Sequence, residues 1–145
     1  MKKYYLLLLC AVLFLSCSKD DDSASNSVLN PPEWLYGNWK HEKSIDGYVY
    51  SSMSIEVSSD NIKLISGSST SVLDIGNHIR NMQNDPNGSA SIEELANNEE
   101  SYEFTLRIFV QEAEVQRTTY RFVRDDGESI MFYQGSSTGL EFFKI

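Results

Sequence analysis

The sequence predicts a mainly β domain: an antiparallel up-and-down meander that closes into an eight-stranded barrel and carries one short helix. Three observations lead there. Tyr102-Glu103-Phe104-Thr105-Leu106-Arg107-Ile108 alternates apolar and polar residues with period two, the signature of a half-buried strand. Turn formers recur at short intervals, at Asp46-Gly47, Asp60-Asn61, Asp85-Pro86-Asn87-Gly88, Asp125-Asp126-Gly127 and Gly135–Gly139. Helical spacing is confined to Val72, Ile75, Ile79 and Met82. A meander of about seven or eight strands has two exposed edges unless it closes on itself, and closure removes them. The alternative is an open sheet or β-sandwich with the helix packed across it.

From the N-terminus, Met1-Lys2-Lys3 is positive and Tyr4–Leu15 is apolar. That run is shorter than the roughly 20 residues a membrane span needs, so residues 1–16 read as a signal peptide. Its end, Leu13-Phe14-Leu15-Ser16-Cys17, resembles the lipobox of bacterial lipoproteins. The resemblance implies cleavage before Cys17 and lipidation of that cysteine. Ser18-Lys19-Asp20-Asp21-Asp22 is similar to the signal that sends lipoproteins to the outer face of the outer membrane, with Lys19, Asp20, Asp21 and Asp22 as its charged positions. Asp22-Ser23-Ala24 resembles a short O-glycosylation motif of the same bacteria. Acyl chains contribute about 0.8 kcal/mol per buried methylene, so the membrane partner is held through Cys17 without a transmembrane helix. Cys10 leaves with the signal peptide and Cys17 is taken by lipid, so the mature chain has no thiol for a disulfide, a metal or a nucleophile.

The Ser-, Asp- and Asn-rich stretch after Cys17 is too polar to bury a core. Residues 17–33 therefore read as a tether, stiffened at its end by Pro31-Pro32. The domain, residues 34–145, is one core's worth of chain. Trp39–Ser44 and Tyr48–Val57 are strands around the Ile45-Asp46-Gly47 turn, with a bulge near Ser51-Ser52 where the apolar phase changes. Ile62–Ser66 follows as a strand, then the short helix from Val72 to Met82 and a turn at Asp85–Gly88. Ser91-Ile92-Glu93-Glu94 is either a capping box opening a helical turn or a strand leading to a hairpin at Asn97–Glu100, with strand preferred. Tyr102–Ile108 pairs with Val115–Val123 across a turn at Glu112-Ala113, placing Thr118, Tyr120 and Phe122 on one face and Arg117, Thr119 and Arg121 on the other. Ser129–Gln134, with Ile130 and Phe132 inward, and Leu140–Ile145 complete the meander.

Trp34-Leu35-Tyr36-Gly37-Asn38-Trp39-Lys40, ahead of the first strand, resembles the Gly-x-Trp opening of lipocalin-like (calycin) barrels. The resemblance implies that Gly37 and Trp39 plug one end of a barrel, with a late basic residue, here Lys144, packed over the tryptophan.

Removing Lys2 and Lys3 with the signal peptide takes the formal charge from −9 to −11. So acidic a body, with no basic stripe, is unsuited to nucleic acid. His41 and His78 sit in no metal-ligand spacing, no Gly-x-Ser-x-Gly elbow exposes a serine, and Asp125-Asp126-Gly127-Glu128 is explained by a turn rather than by calcium. No cofactor is implied, and the chain reads as a non-enzyme. The inward residues Tyr102, Phe104, Leu106, Tyr120, Phe122, Phe132 and Phe142 form either a cavity for a small apolar ligand or a solid core. A solid core leaves the loops to bind a protein or glycan, with Tyr36, Tyr48 or Tyr50 as candidates for an exposed aromatic patch. Labelling growing cells with a palmitate analogue is expected to mark the intact chain and to leave Cys17→Ala unmarked.

Overall fold

The computed structural model describes residues 29–67, 71–125 and 127–145. After a 3-10 turn at Glu33–Leu35 come nine strands and one helix: β1 (Gly37–Ile45), β2 (Tyr48–Val57), β3 (Ile62–Ser66), β4 (Ser71–Asp74), α1 (Ile75–Asn84), β5 (Gly88–Asn97), β6 (Ser101–Val110), β7 (Ala113–Arg124), β8 (Ser129–Gln134) and β9 (Leu140–Lys144). All strands join one antiparallel sheet in the order β4-β3-β2-β1-β9-β8-β7-β6-β5. The first strand therefore pairs with the last, while β4 and β5, the middle of the chain, stand at the two edges. The meander and the short helix stand as predicted. The strand count is nine rather than eight, and no ladder joins β4 to β5 among the described residues, so the expected closed barrel is instead the open, curled sheet of the alternative.

The helix explains the opening, since α1 connects β4 to β5 and packs against both and against β3. Ten residues make a rod of about 15 Å, too short to persist alone, so its stability comes from its buried face. Ile75 and Ile79 are fully buried there, roughly 1.5–3 kcal/mol each. The expected start at Val72 is corrected: Ser71–Asp74 pairs with Lys63–Ser66 as a strand, and Val72 is exposed. What ends the strand and starts the helix is Asp74, the N-cap, whose carboxylate accepts from Asn77 N–H at 2.9 Å. Asn61 completes the cap, donating to Asp74 from its amide nitrogen and accepting from Gly76 N–H at 2.8 Å through its oxygen.

The remaining expectations move by small, explicable amounts. Within residues 85–100, Gly88–Asn97 form β5, the preferred reading, with its turn at Asn98–Glu100. The bulge of β2 falls at Tyr50, because Lys43 pairs with Ser51 and Ser44 with Val49. The β6–β7 turn is Gln111-Glu112 rather than Glu112-Ala113, with both residues at positive φ of 50° and 67°. The domain also begins earlier than residue 34. Leu29 is 1% exposed and Pro31 is buried, Asn97 donates to the Asn30 carbonyl, and Trp34 donates to the Asn98 carbonyl. The end of the expected tether is thus part of the core, laid against the β5–β6 turn.

Removing the Asp74 cap is expected to cost about 1 kcal/mol at neutral pH, measured as a lower melting temperature for Asp74→Ala. Burial pushes the Asp74 carboxyl up, but the bonds from Asn77 and Asn61 and the charges of Lys63 and Arg80 outweigh it and hold it below the usual carboxylate range. Its stabilisation is therefore present at neutral pH and is lost as pH falls through that lowered value. The gap between wild type and variant is expected to narrow in acid.

Candidate functional site

Three regions answer to the predicted residues. In the middle of the sheet, β1 and β9 lie side by side and pair Trp39 with Lys144. Trp39 is 1% exposed, its indole N–H donates to the Leu35 carbonyl at 2.9 Å, and Lys144 Nζ lies 5.3 Å from the ring centroid, within cation–π range. Gly37 belongs to the same cluster. It sits at φ +121°, and an added methyl would stand 3.2 Å from Lys144 Cε, so both backbone and space call for glycine.

Inside the curl, Tyr102, Phe104, Leu106, Tyr120, Phe122, Phe132 and Phe142 are all buried. Period-two alternation puts them on one face, and the register sets them beside one another: Tyr102 opposite Phe122, Phe104 opposite Tyr120, Phe122 opposite Phe132. Their rings touch in series, with centroids 5.4 Å apart for Tyr102–Phe104, 5.2 Å for Phe104–Tyr120, 5.0 Å for Phe122–Phe132 and 5.9 Å for Phe132–Phe142. None is more than 2% exposed. A side chain that a water molecule cannot touch has no water-sized void beside it. The residues expected to line a ligand cavity therefore pack as a solid core. The Tyr102 hydroxyl donates to Glu94 at 2.9 Å and accepts from Asn30 N–H at 3.4 Å, and burial with the neighbouring carboxylate pushes its ionisation far up. It is a structural hydroxyl that holds the N-terminal segment.

The outer face carries what alternation left unassigned. A cleft of about 330 Å³ is lined by Glu103 of β6, Thr119 and Arg121 of β7, Tyr133 of β8 and the turn residues Gly135, Ser136 and Ser137. Glu103, Arg121 and Tyr133 are consecutive register partners across three strands. The Arg121 guanidinium carbon lies 4.3 Å from the Tyr133 ring centroid, and among the described residues it makes no ion pair. The turn above is fixed: Gly135 N–H donates to the Thr119 carbonyl at 2.7 Å, and Gln134 N–H donates to Ser137 Oγ at 3.1 Å. Gly139 presses on Tyr133 so closely that an added methyl would lie 2.6 Å from Cε1. A second hollow of about 240 Å³ is lined by Asn38, Glu56, Val57, Ser58, Asn61 and Lys63, most of whose polar groups are paired. Lys63 pairs with Glu56, and Asn61 serves the helix cap.

Tyr36 and Tyr48, two candidates for an exposed aromatic patch, do not come together. Tyr36 is half-buried against the core at the start of β1, whereas Tyr48 is 74% exposed at the β1–β2 tip, about 30 Å away along an extended strand. The Tyr50 side chain lies outside what is described. Cys17, Lys19, Asp20, Asp21, Asp22 and Ser23 also lie outside the described residues. Of the imidazoles, His41 Nδ1 lies 2.8 Å from the Glu141 carbonyl and the ring packs on Phe142, while His78 lies half-buried on α1. No group of three metal-ligating side chains forms among the described residues, and no helix among them is long and apolar enough to cross a membrane. The sequence matches no family model, and comparison with curated proteins and with solved structures found no match.

Trp39→Ala is expected to cost about 3–5 kcal/mol, since it empties a fully buried position at the β1–β9 pair. Lys144→Ala, which removes only the cation over the ring, is expected to cost about 0.5–1 kcal/mol. Urea denaturation of the two variants checks the ratio.

Proposed function

We propose that this chain is a lipid-anchored binding module of the bacterial outer membrane, facing outward, which meets its partner with its outer surface rather than with an internal cavity. The anchor rests on Cys17 and the charged stretch behind it, and the choice of outer surface rests on the filled interior. Seven inward side chains at 2% exposure or less leave no room for a small apolar molecule among them. The carrier reading needs that room. The outer face, by contrast, holds a preformed cleft whose Arg121 and Glu103 make no ion pair with each other, although they stand opposite in register. Exposed charges of opposite sign directly across a ladder ordinarily attract. Here the guanidinium lies on Tyr133 instead, leaving its N–H groups and the Glu103 carboxylate open to a partner.

The test is to overfill the interior. Phe104→Trp and Phe122→Trp add volume at two points of the ring stack, and in a filled core each is expected to destabilise the domain by about 1–3 kcal/mol in urea denaturation. Neutral or stabilising results would mean that the core accepts the added volume, and would return the apolar-carrier reading.

A further inference from the structure

The three arginines on the outward faces of β6 and β7 differ in what they do. Arg107 contacts Glu93 at 3.2 Å and Glu114 at 4.0 Å, and Arg117 grips Glu114 through two nitrogens at 2.8 and 2.9 Å. Those two are consumed by their own surface. Arg121, four residues along β7 from Arg117 on the same face, has the Glu103 carboxylate directly opposite and does not close on it. Its guanidinium carbon lies over the Tyr133 ring, a cation–π contact that uses none of its five N–H groups, and none of them is taken up by an ion pair among the described residues. A planar guanidinium so presented matches a carboxylate, two N–H groups to two oxygens.

The same cleft contains the opposite sign. The Glu103 carboxylate lines it, accepting no hydrogen bond from the described residues, so a group bound to Arg121 has an acceptor-only neighbour that demands an N–H or O–H donor. Ser136 adds a further polar side chain at the rim. The volume, about 330 Å³, lies at the small end of the range for small-molecule sites. The field of the surface favours the same kind of ligand: a body near −11 repels a bare anion that comes within the Debye length of about 8 Å, whereas a molecule bearing both charges feels little net repulsion. Nor is a stacked sugar ring favoured, because the guanidinium already occupies one face of Tyr133.

We infer that the cleft between Glu103, Arg121 and the 135–137 turn binds a small zwitterionic amino carboxylate, its carboxylate on Arg121 and its ammonium on Glu103. The shared chemistry comes from two sources, a free α-amino acid or a dipeptide, whose charges are separated by different spans. The inference rests on the outer-surface reading of the domain and specifies its ligand.

The experiment is a calorimetric titration of the full lipidated protein in detergent with alanine, alanyl-alanine, N-acetylalanine, alaninamide and glucuronate. Saturable binding is expected for alanine or alanyl-alanine, whichever span fits, and no binding for N-acetylalanine or alaninamide, each of which lacks one charge. Arg121→Gln and Glu103→Gln are each expected to weaken the binding about tenfold or more, while Arg117→Gln, outside the cleft, leaves it unchanged. No saturable heat with either zwitterion, equal binding of glucuronate, or binding that survives Arg121→Gln overturns the inference. If that happens while Phe104→Trp and Phe122→Trp still destabilise, only the ligand assignment falls. If the tryptophan variants are neutral, the outer-surface reading falls with it.

Discussion

The curl of the sheet depends on a very short ladder between the two ends of the chain. Only Trp39–Lys144 and Lys40–Phe143 pair β1 with β9, extended by Ile145 N–H donating to the Asn38 carbonyl. Those few contacts join the four-strand half β1–β4 to the five-strand half β5–β9. Backbone bonds in such number contribute little net stability, roughly 1 kcal/mol apiece, so the seam must be held by what packs on it. Trp39 does this, buried on the inner side of the seam with Lys144 over its ring and its indole N–H fixed by Leu35. The same residue links the seam to the 3-10 turn, hence to Pro31 and Leu29. On the far side of the sheet the opposite choice is made: β4 and β5 stay apart, and α1 occupies the opening with Ile75 and Ile79.

The open edges need protection, since an exposed strand invites pairing with another chain. β4 has only four residues, too short to serve as a template. β5 is ten residues long but carries Glu93 and Glu94 at its middle and a bulge at Leu95, where Glu94 pairs with Phe104 and Ala96 with Glu103. A bulge twists an edge and charges repel a neighbour, so the sheet remains open without leaving a usable strand.

Much of the fold was legible because inner-face residues alternate with high contrast. β2, β3 and β8 start and stop at the expected residues, since their ends are marked by turn formers whose geometry is local. Three features were hidden for physical reasons. Val72 shares helical spacing with Ile75 by coincidence, and the Asp74–Asn61 cap that separates strand from helix involves a residue thirteen positions away. Leu29 lies in a segment whose composition is that of a tether, and one leucine gives no periodicity to read. Closure between β4 and β5 is a matter of packing, which alternation does not encode. The outer cleft was half legible. Arg121 was expected on the outer face, but its partner across β8 was not: pairing the expected strand ends Val123 and Ser129 would set it opposite Met131, whereas Arg124 pairs with Ile130 and Arg121 with Tyr133. The pairing with Glu103 could not be counted, because Val115 is an extra residue in β7: Phe109 pairs with Glu114 but Ile108 with Gln116. Without that bulge Phe104 would face Thr119 instead of Tyr120 and the inner aromatic row would break, so the need to bury the rings sets the register that brings Glu103 and Arg121 together.

The cleft is thus a by-product of the core's demands. The register that aligns Phe104 with Tyr120 inside necessarily aligns Glu103 with Arg121 outside, and the next ladder aligns Arg121 with Tyr133. Whether the arginine closes on the carboxylate or lies on the ring is then decided locally. An exposed ion pair is worth about 0–1 kcal/mol and a cation–π contact about 0.5–1, so the two are near balance. The β8–β9 turn tips it: bound back to Thr119 and pressing Gly139 on Tyr133, it fixes the ring beneath the guanidinium. A choice so finely balanced is one that a ligand can join at small cost, since Arg121 need not break an ion pair to receive a carboxylate and Glu103 loses no partner in receiving an ammonium.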